Sequence, residues 1–578
     1  MLVIIVPALL YLPAVQNFVK DIALKEVKKS TGMDISIGYL RLKFPLNLQL
    51  HDVAVVEATG DTMATVGVAG VDVRLLPLLR GDIDVSGTSL SEVRYTLGTP
   101  DSAIYLTAKV RSFNAEGALM NFSKGVIDVD HAVLDGGDVR LVLKDTVTPE
   151  KTDTTASTPL RIHAGDITLR NINYSMSMLP VIDSLGTFIP QAQLLDGTVD
   201  MKSGRIHAQS LTVDSLTADY FTPSAQFLAS YHPADTVATD TTVSSTPWTI
   251  TADSLRLTAK HALYAMRGAV PTPGLDMNYL QVSDVTIAVD SFYNRATAIT
   301  VPLKKLTATE RCGLQLNAHG TFAMDSTAMR AEKFQISTLF SKISLDALMG
   351  MGDITTDPTL PLQFKANGNI GFPDIEQVMP ALYATLRDVP RSNGLQLLAD
   401  INGTTSQLQV NAVNIALPRY LNIHANGTVF YPMNPKRIGG DIALNGTLTN
   451  ANFIKQMALD PATAKQVNIP NMTLDGNIHY SPSGASGKLT AITGHGKLAF
   501  DGKWQQLTEG YRAALTFNNF PVQDFMPSLG IANLSGSVNL DGHGYNPVAS
   551  TTVIDADANI HAVAVSYTHL TLPTKLEV

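Results

Sequence analysis

Apolar and polar residues alternate with period two along almost the whole chain, and that leaves few folds open. Ile35 and Ile37 stand between polar neighbours, as do Leu46, Leu48 and Leu50, then Val53 and Val55, then Val71, Val73 and Leu75. The texture returns at Leu314 and Leu316, Ile343 and Leu345, Leu362 and Phe364, Leu408 and Val410, Ile442 and Leu444, and Val538 and Leu540. Successive side chains of a strand point to opposite faces, so such alternation marks strands with one face turned from water. The expectation is an all-β chain of antiparallel strands with a few short helices; period alone does not separate a long curled antiparallel sheet from a sandwich.

A chain of 578 residues exceeds what one core uses, so it holds several domains or one elongated, repetitive structure. With 45% hydrophobic and 16% charged residues it is not a disordered chain. The net charge of −9 is spread without blocks, and no basic stripe suits nucleic acid. One cysteine, Cys312, excludes an intrachain disulfide framework and any cysteine-based zinc cluster.

The two ends differ from the rest. Residues 1–15, beginning MLVIIVPALLYL, are apolar throughout but short of the ~20 residues of a membrane span. They lack a basic leader and a small-residue cleavage site, so the run reads as the end of a transmembrane anchor. Residues 16–32 read as an amphipathic helix, with Phe18, Ile22 and Val27 on one side, lysines elsewhere and Gly32 as the stop. At the other end, VSYTHLTLPT (565–574) matches one reading frame of a transposase adapter used in sequencing libraries. Residues 565–578 are therefore expected to be foreign, with the native chain ending near Ala564.

Between the ends, residues 33–564 read as one repetitive β region. Polar loops are expected near 147–159 and 233–247. Asn-Gly pairs at Asn367, Asn393, Asn402, Asn426 and Asn445 read as tight hairpin turns, and Asp52, Asp61, Asp135 and Asp475 as turn carboxylates. Three places set a short helix after a strand: Phe364 to Ile370 runs into Pro373, Ile442 to Leu448 into Ala451, and Leu515 to Phe520 into Pro521. Repeats of this size suggest an array growing along one axis.

No catalytic signature stands out. Walker A, G-x-S-x-G and H-E-x-x-H are all missing, and the histidines lack ligand spacing. His479 and His495 are far apart in strand-like segments, and Cys312 in Glu-Arg-Cys-Gly reads as a turn entry without a base partner. The chain reads as a non-enzyme with no metal and no cofactor. What carries physical content is the surplus of half-apolar strands, each of which needs something to cover its apolar face. A second sheet, closure into a barrel, or bound lipid in an open groove would each supply that cover.

The N-terminal hundred residues narrow the choice. After the apolar run come Leu12-Pro-Ala-Val-Gln-Asn-Phe, Thr31-Gly-Met-Asp-Ile-Ser-Ile-Gly, Phe44-Pro-Leu-Asn-Leu-Gln-Leu-His-Asp-Val, Gly60-Asp-Thr-Met-Ala and Val71-Asp-Val-Arg-Leu-Leu-Pro-Leu-Leu-Arg-Gly81. This order resembles the N-terminal region of TamB-like members of the AsmA superfamily of Gram-negative bacteria. Leu534-Ser-Gly-Ser-Val-Asn-Leu-Asp-Gly-His-Gly544 is similar to the strand-turn repeats of the same superfamily. The C-terminal domain of TamB has no counterpart here, which leaves TamB and AsmA proper both open.

The resemblance implies a single-pass inner-membrane protein, most of it a periplasmic β-groove with a hydrophobic lumen. It implies phospholipid and the inner membrane as partners, a possible outer-membrane barrel partner, and no nucleic acid. Roughly 30 strands at ~4.8 Å would make a groove ~140 Å long. Lipid conduit is the first reading of function. An assembly factor for outer-membrane proteins, offering an edge strand, is the second. A structural β-solenoid or adhesin is the third. Leu314, Leu316, Ile343 and Leu345 are the candidate lipid-binding groove residues.

Overall fold

The computed structural model describes residues 20, 21, 24, 34–43, 47–56, 60–73, 85–117, 119–121, 125–144, 160–179, 183–230, 247–386, 389–494, 496–544 and 551–564. The apolar run 1–15, His495 and the tail 565–578 lie outside the described residues. Within the segment 16–32, Lys20, Asp21 and Leu24 are described and are helical. No helix among the described residues is long and apolar enough to cross a membrane.

The chain is all-β. It divides into two units, Met1–Ala323 and Met324–Val578. In the first unit the strands are β1 Asp34–Lys43, β2 Asn47–Val56, β3 Thr62–Val73, β4 Val85–Leu97, β5 Ile104–Glu116 and β6 Leu119–Asn121. They continue with β7 Val126–Lys144, β8 Arg161–Leu179, β9 Asp183–Asp200, β10 Arg205–Thr222, β11 Thr249–Met266, β12 Tyr279–Arg295 and β13 Ala298–Glu310. β14, Gln315–Met324, lies at the boundary.

Apart from the short β6, which pairs only with β7, each strand from β1 to β12 pairs with the next, β5 with β7. The pairs are antiparallel except for β7 with β8 and β10 with β11, which are parallel. This departs from the wholly antiparallel expectation. A parallel neighbour cannot follow from a hairpin, because the chain must first return the length of the strand. The polar segments 147–159 and 233–247 fall in those two returns, and residues 145–159 and 231–246 of them lie outside the described residues.

Two lines of kinks cross the first unit; one runs through Asp130, Gly165, Asp196, Gln209, Asp253 and Ser291, and the other starts in β1. In β1 the half-buried positions are Ile35, Ile37, Leu40 and Leu42, so the alternation slips by one residue at Gly38–Tyr39. Opposite Gly38 stands Asp52, and the line continues through Gly67, Glu92, Arg111, Gly136, Asn171, Pro190 and Ser215. Asp52, Glu92, Asn171 and Ser215 are left-handed along it (φ 51°, 52°, 54° and 56°). Such a backbone costs a non-glycine residue ~1 kcal/mol or more and persists only where its surroundings impose it. Here each strand slips beside its neighbours, so the register holds on both sides and the apolar residues stay on one face.

The second unit is a plain antiparallel meander. Its strands are β15 Ala328–Ser337, β16 Lys342–Gly350, β17 Pro361–Gly371, β18 Gly394–Thr404, β19 Gln407–Leu417, β20 Leu421–Phe430 and β21 Gly439–Leu448. They continue with β22 Met472–Ser481, β23 Gly484–Thr493, β24 Gly496–Gln505, β25 Gly510–Phe520, β26 Ile531–His543 and β27 Val553–Ala564. Each pairs with the next in sequence.

Short helices recur at every fourth connection and on the same rim. Phe372–Val378 and Pro380–Thr385 join β17 to β18, Ile454–Ala458 and Pro461–Gln466 join β21 to β22, and Val522–Phe525 leads from β25 to β26. These are the three places where the sequence sets a helix after a strand. Proline at the start suits them, since a first-turn N–H has no intrahelical partner. Asp460 caps its helix by accepting from the Ala462 and Thr463 amides at 3.0 and 3.1 Å.

The helices fold onto one face of the sheet. Phe372, Leu386, Val389, Leu417 and Phe453 form a buried cluster there, with Leu395 and Leu421 packed against it. Asp374 is buried beneath and accepts hydrogen bonds from Thr338 Oγ1 and Ser341 Oγ, tying the β15–β16 hairpin to the helical rim.

Two sequence readings need correction. Asn367, Asn402, Asn426 and Asn445, each followed by glycine, do not mark turns; all four lie inside strands. Only Asn393 stands at a turn, its amide bonded to the Pro390 carbonyl. Asp52, Asp135 and Asp475 are likewise strand residues rather than turn carboxylates. The reason is a shape requirement of the sheet face, described next.

Candidate functional site

Register in the second unit lines side chains into tracks that run from β15 to β27. The first holds Phe334, Leu345, Ala366, Ala399, Val413, Ala425, Leu444, Gly476, Leu489, Phe500, Leu515, Val538 and Ala558. Beside it, toward the helical rim, run Ile336, Ile343, Gly368, Leu397, Ile415, Ile423, Gly446, Leu474, Ala491, Leu498, Phe517, Gly536 and Ile560. On the other side stand Ala331, Ala347, Phe364, Ile401, Val410, Gly427, Ile442, Ile478, Gly487, Gly502, Ala513, Leu540 and Ala556. The fourth holds Met329, Met349, Leu362, Gly403, Leu408, Val429, Gly440, Tyr480, Ala485, Trp504, Tyr511, Gly542 and Ile554.

No charged, amide or aliphatic hydroxyl side chain interrupts these four tracks. Extra residues in β15, between Ala331 and Phe334, and in β19, between Val410 and Val413, would have turned polar residues inward, but each is absorbed in a bulge that restores the phase. Twelve strand spacings of ~4.8 Å make the face ~58 Å long, and three two-residue steps make it ~20 Å wide.

Glycine recurs on this face and is missing from the three rows that lie between the tracks. A Cβ on Gly368 would stand 2.3 Å from the Lys342 carbonyl oxygen, and one on Gly427 2.0 Å from that of Asp441. At these positions the strands approach too closely to admit a side chain, as on the inside of a bend. In each mid-strand Asn-Gly pair the glycine thus serves the inner face and the asparagine the outer.

The opposite face is polar. From β17 onward one of its rows reads Gln363, Asn402, Gln409, Thr428, Asp441, His479, Ser486, Lys503, Arg512, Asp541 and Asp555. Cross-strand pairs stud it, among them His479 with Asp441 at 2.7 Å, Lys488 with Asp501 at 3.1 Å and Arg512 with Asp541 at 2.8 Å. Exposed pairs of this kind add little stability each, and here they keep the outer face wet.

The first unit has the same division. Leu40, Leu50, Ala69, Leu90, Phe113, Leu134, Leu169, Ala192, Val213, Leu257, Ile287 and Leu306 form one apolar track from β1 to β13. On its polar side His163 lies between Asp128 and Asp196 at 2.7 and 2.9 Å, and hydrogen bonds to these carboxylates raise its pKa above the ordinary 6.5.

What marks the inner face of the second unit as a site is that, among the described residues, several of its large side chains are left exposed. Ile478 is 53% exposed, Tyr480 44% and Phe364 42%, and Leu489 and Phe500 are each 38% exposed. Covering the exposed half of a side chain of this size is worth ~1 kcal/mol. The face therefore attracts any apolar occupant that fits.

Ile343 and Leu345 fall in two adjacent tracks. Leu314, just before β14, and Leu316 within it are half-buried and alternate with exposed Gln315 and Asn317. These two belong to the first unit and Ile343 and Leu345 to the second. Phe500, Trp504 and Tyr511 were missed in the sequence, although Leu498, Phe500, Gly502 and Trp504 alternate there as plainly as any residues chosen.

Cys312 sits in the turn after β13, its amide donating to the Glu310 carboxylate at 2.6 Å, and burial pushes its thiol pKa up, away from the thiolate a nucleophile needs. Among the described residues no group of three His, Cys, Asp or Glu is placed to hold a metal. No family model matches the chain, and no curated protein or solved structure matches it.

Proposed function

We propose that this chain is a lipid conduit of the AsmA/TamB kind, a membrane-anchored periplasmic groove that carries phospholipid between inner and outer membranes with acyl chains on its apolar face. The observation that carries the reading is the unbroken run of four apolar tracks with large side chains left uncovered. A chaperone that offers a strand edge, or an adhesin, has no need of such continuity. A hydrocarbon path does, because moving an acyl chain past a desolvated charge costs several kcal/mol. The resemblance of the N-terminal hundred residues supports the anchor and the compartment.

The test is site-specific crosslinking to lipid in cells, with the full chain. Ile343→Glu and Leu345→Glu should abolish lipid crosslinks beyond the substituted strand, as should Leu316→Glu within the first unit. Ser344→Glu and Gln315→Glu, which point outward, should leave them unchanged. Folded variants that carry lipid normally past an inward glutamate would reject the conduit.

A further inference from the structure

The apolar face is not uniform. Between β22 and β25 it carries a cleft of about 380 Å³ bounded by Ile478, Gly487, Phe500, Gly502, Trp504 and Tyr511. Its origin is legible in the tracks. Gly487, Gly502 and Ala513 follow one another on adjacent strands, so the floor drops by the depth of a side chain. Tracks on either side stay large, with Leu489, Phe500 and Leu515 along one wall and Trp504 and Tyr511 along the other. The Phe500 ring leans over Gly502, its Cζ 2.2 Å from where a Cβ would stand. Four of the exposed large side chains of the face, Ile478, Tyr480, Leu489 and Phe500, are gathered here.

We propose that this cleft is a holding station for one unbranched hydrocarbon chain, the tail of an amphiphile in transit. The proposal rests on the groove reading and deepens it. An enclosed apolar cavity of ~150 Å³ takes benzene, or ~25 Å³ per carbon, so an open cleft of 380 Å³ has room for the length of one hydrocarbon tail, on the order of 15 carbons, with one side facing solvent. That is the size of one fatty-acyl chain. Lys503 and Arg512 also border the cleft, but they stand in the polar outer row, where Arg512 pairs with Asp541. The occupant is hydrocarbon rather than headgroup, because no charged side chain stands in the tracks that form the walls. Elsewhere on the face a chain lies against a shallow surface; here it sinks between two aromatic walls and is released more slowly.

The chain has two tryptophans, and Trp504 is in the wall. Full-length protein carrying Trp248→Phe leaves Trp504 as the only reporter. Titration with stearic acid brominated in mid-chain should quench it saturably, at one molecule per chain. Ala513→Leu fills the floor and should weaken that quenching about tenfold or more, the effect of excluding about two methylenes. Ala514→Leu, which points to the outer face of the same strand, should leave it unchanged. A second reporter, Leu397→Trp with both native tryptophans replaced by phenylalanine, reads the face away from the cleft. If that reporter is quenched while Trp504 is not, or if Ala513→Leu changes nothing, the station is overturned and the groove stands. If neither reporter is quenched, both readings fall.

Discussion

Gly427→Ala tests the claim that the inner face is the inside of a bend. Gly427 lies in mid-strand in β20, between Val410 and Ile442, with φ 146°. An added Cβ would stand 2.0 Å from the Asp441 carbonyl oxygen, where ordinary contact begins at 3.4 Å, an overlap of 3.4 − 2.0 = 1.4 Å. That oxygen is backbone and cannot swing aside. Either β20 and β21 move apart locally or alanine leaves its φ. Holding a non-glycine residue in such a region costs ~1–3 kcal/mol. Loosening two ladder hydrogen bonds costs ~0.5–1.5 kcal/mol each. The expected loss is therefore about 3 kcal/mol, read as a lower urea midpoint for unfolding of the second unit. Asn426→Ala, one residue away and exposed, should stay within ~0.5 kcal/mol. Gly186→Ala in β9, with nothing within 4 Å of its Cβ position, should stabilise by ~0.4–1 kcal/mol. If Gly427→Ala costs no more than Asn426→Ala, the strands are not crowded there, and the account of the mid-strand Asn-Gly pairs is wrong.

Two further outcomes are expected. His163 should titrate above 6.5 by NMR, and Asp128→Ala should lower its midpoint; because its folded pKa is raised, its stabilising effect is complete below the ordinary value of 6.5 and lost as pH climbs through the folded value, so a midpoint at or below 6.5 refutes the pairing. Phe453→Ala, in the buried cluster under the helical rim, should cost ~3–5 kcal/mol, whereas the same change at exposed Met457 should cost under ~1 kcal/mol; equal losses in urea unfolding would show that the rim does not pack as described.

Much of the inner face was legible in the sequence. Leu362 and Phe364, Leu408 and Val410, Ile442 and Leu444, and Val538 and Leu540 were paired by alternation alone, and all lie in the apolar tracks. The rim helices were legible too, because proline and a change of period announce a helix wherever it sits. The mid-strand Asn-Gly pairs were not. The dipeptide that makes a hairpin turn also meets the needs of a bent strand, and local sequence does not report the approach of a neighbour from Asp441. The kink line that starts in β1 was half visible. Leu48 and Leu50 followed by Val53 and Val55 look like two strands, and only the left-handed Asp52 shows that they are one. Parallel pairing at β7–β8 and β10–β11 left no local signal, since it is decided by where the chain goes after leaving the strand.

The helical rim repeats with every four strands of the second unit, and each strand touches only the strands made just before and just after it. Such an arrangement can be lengthened by copying one block, without redesigning any other part. Each copied block would add four spacings, ~19 Å, bringing its own rim helix and its own share of inner glycines. Length in this architecture is thus a heritable quantity that changes in fixed steps, and the distance a chain of this kind can reach is set by counting blocks.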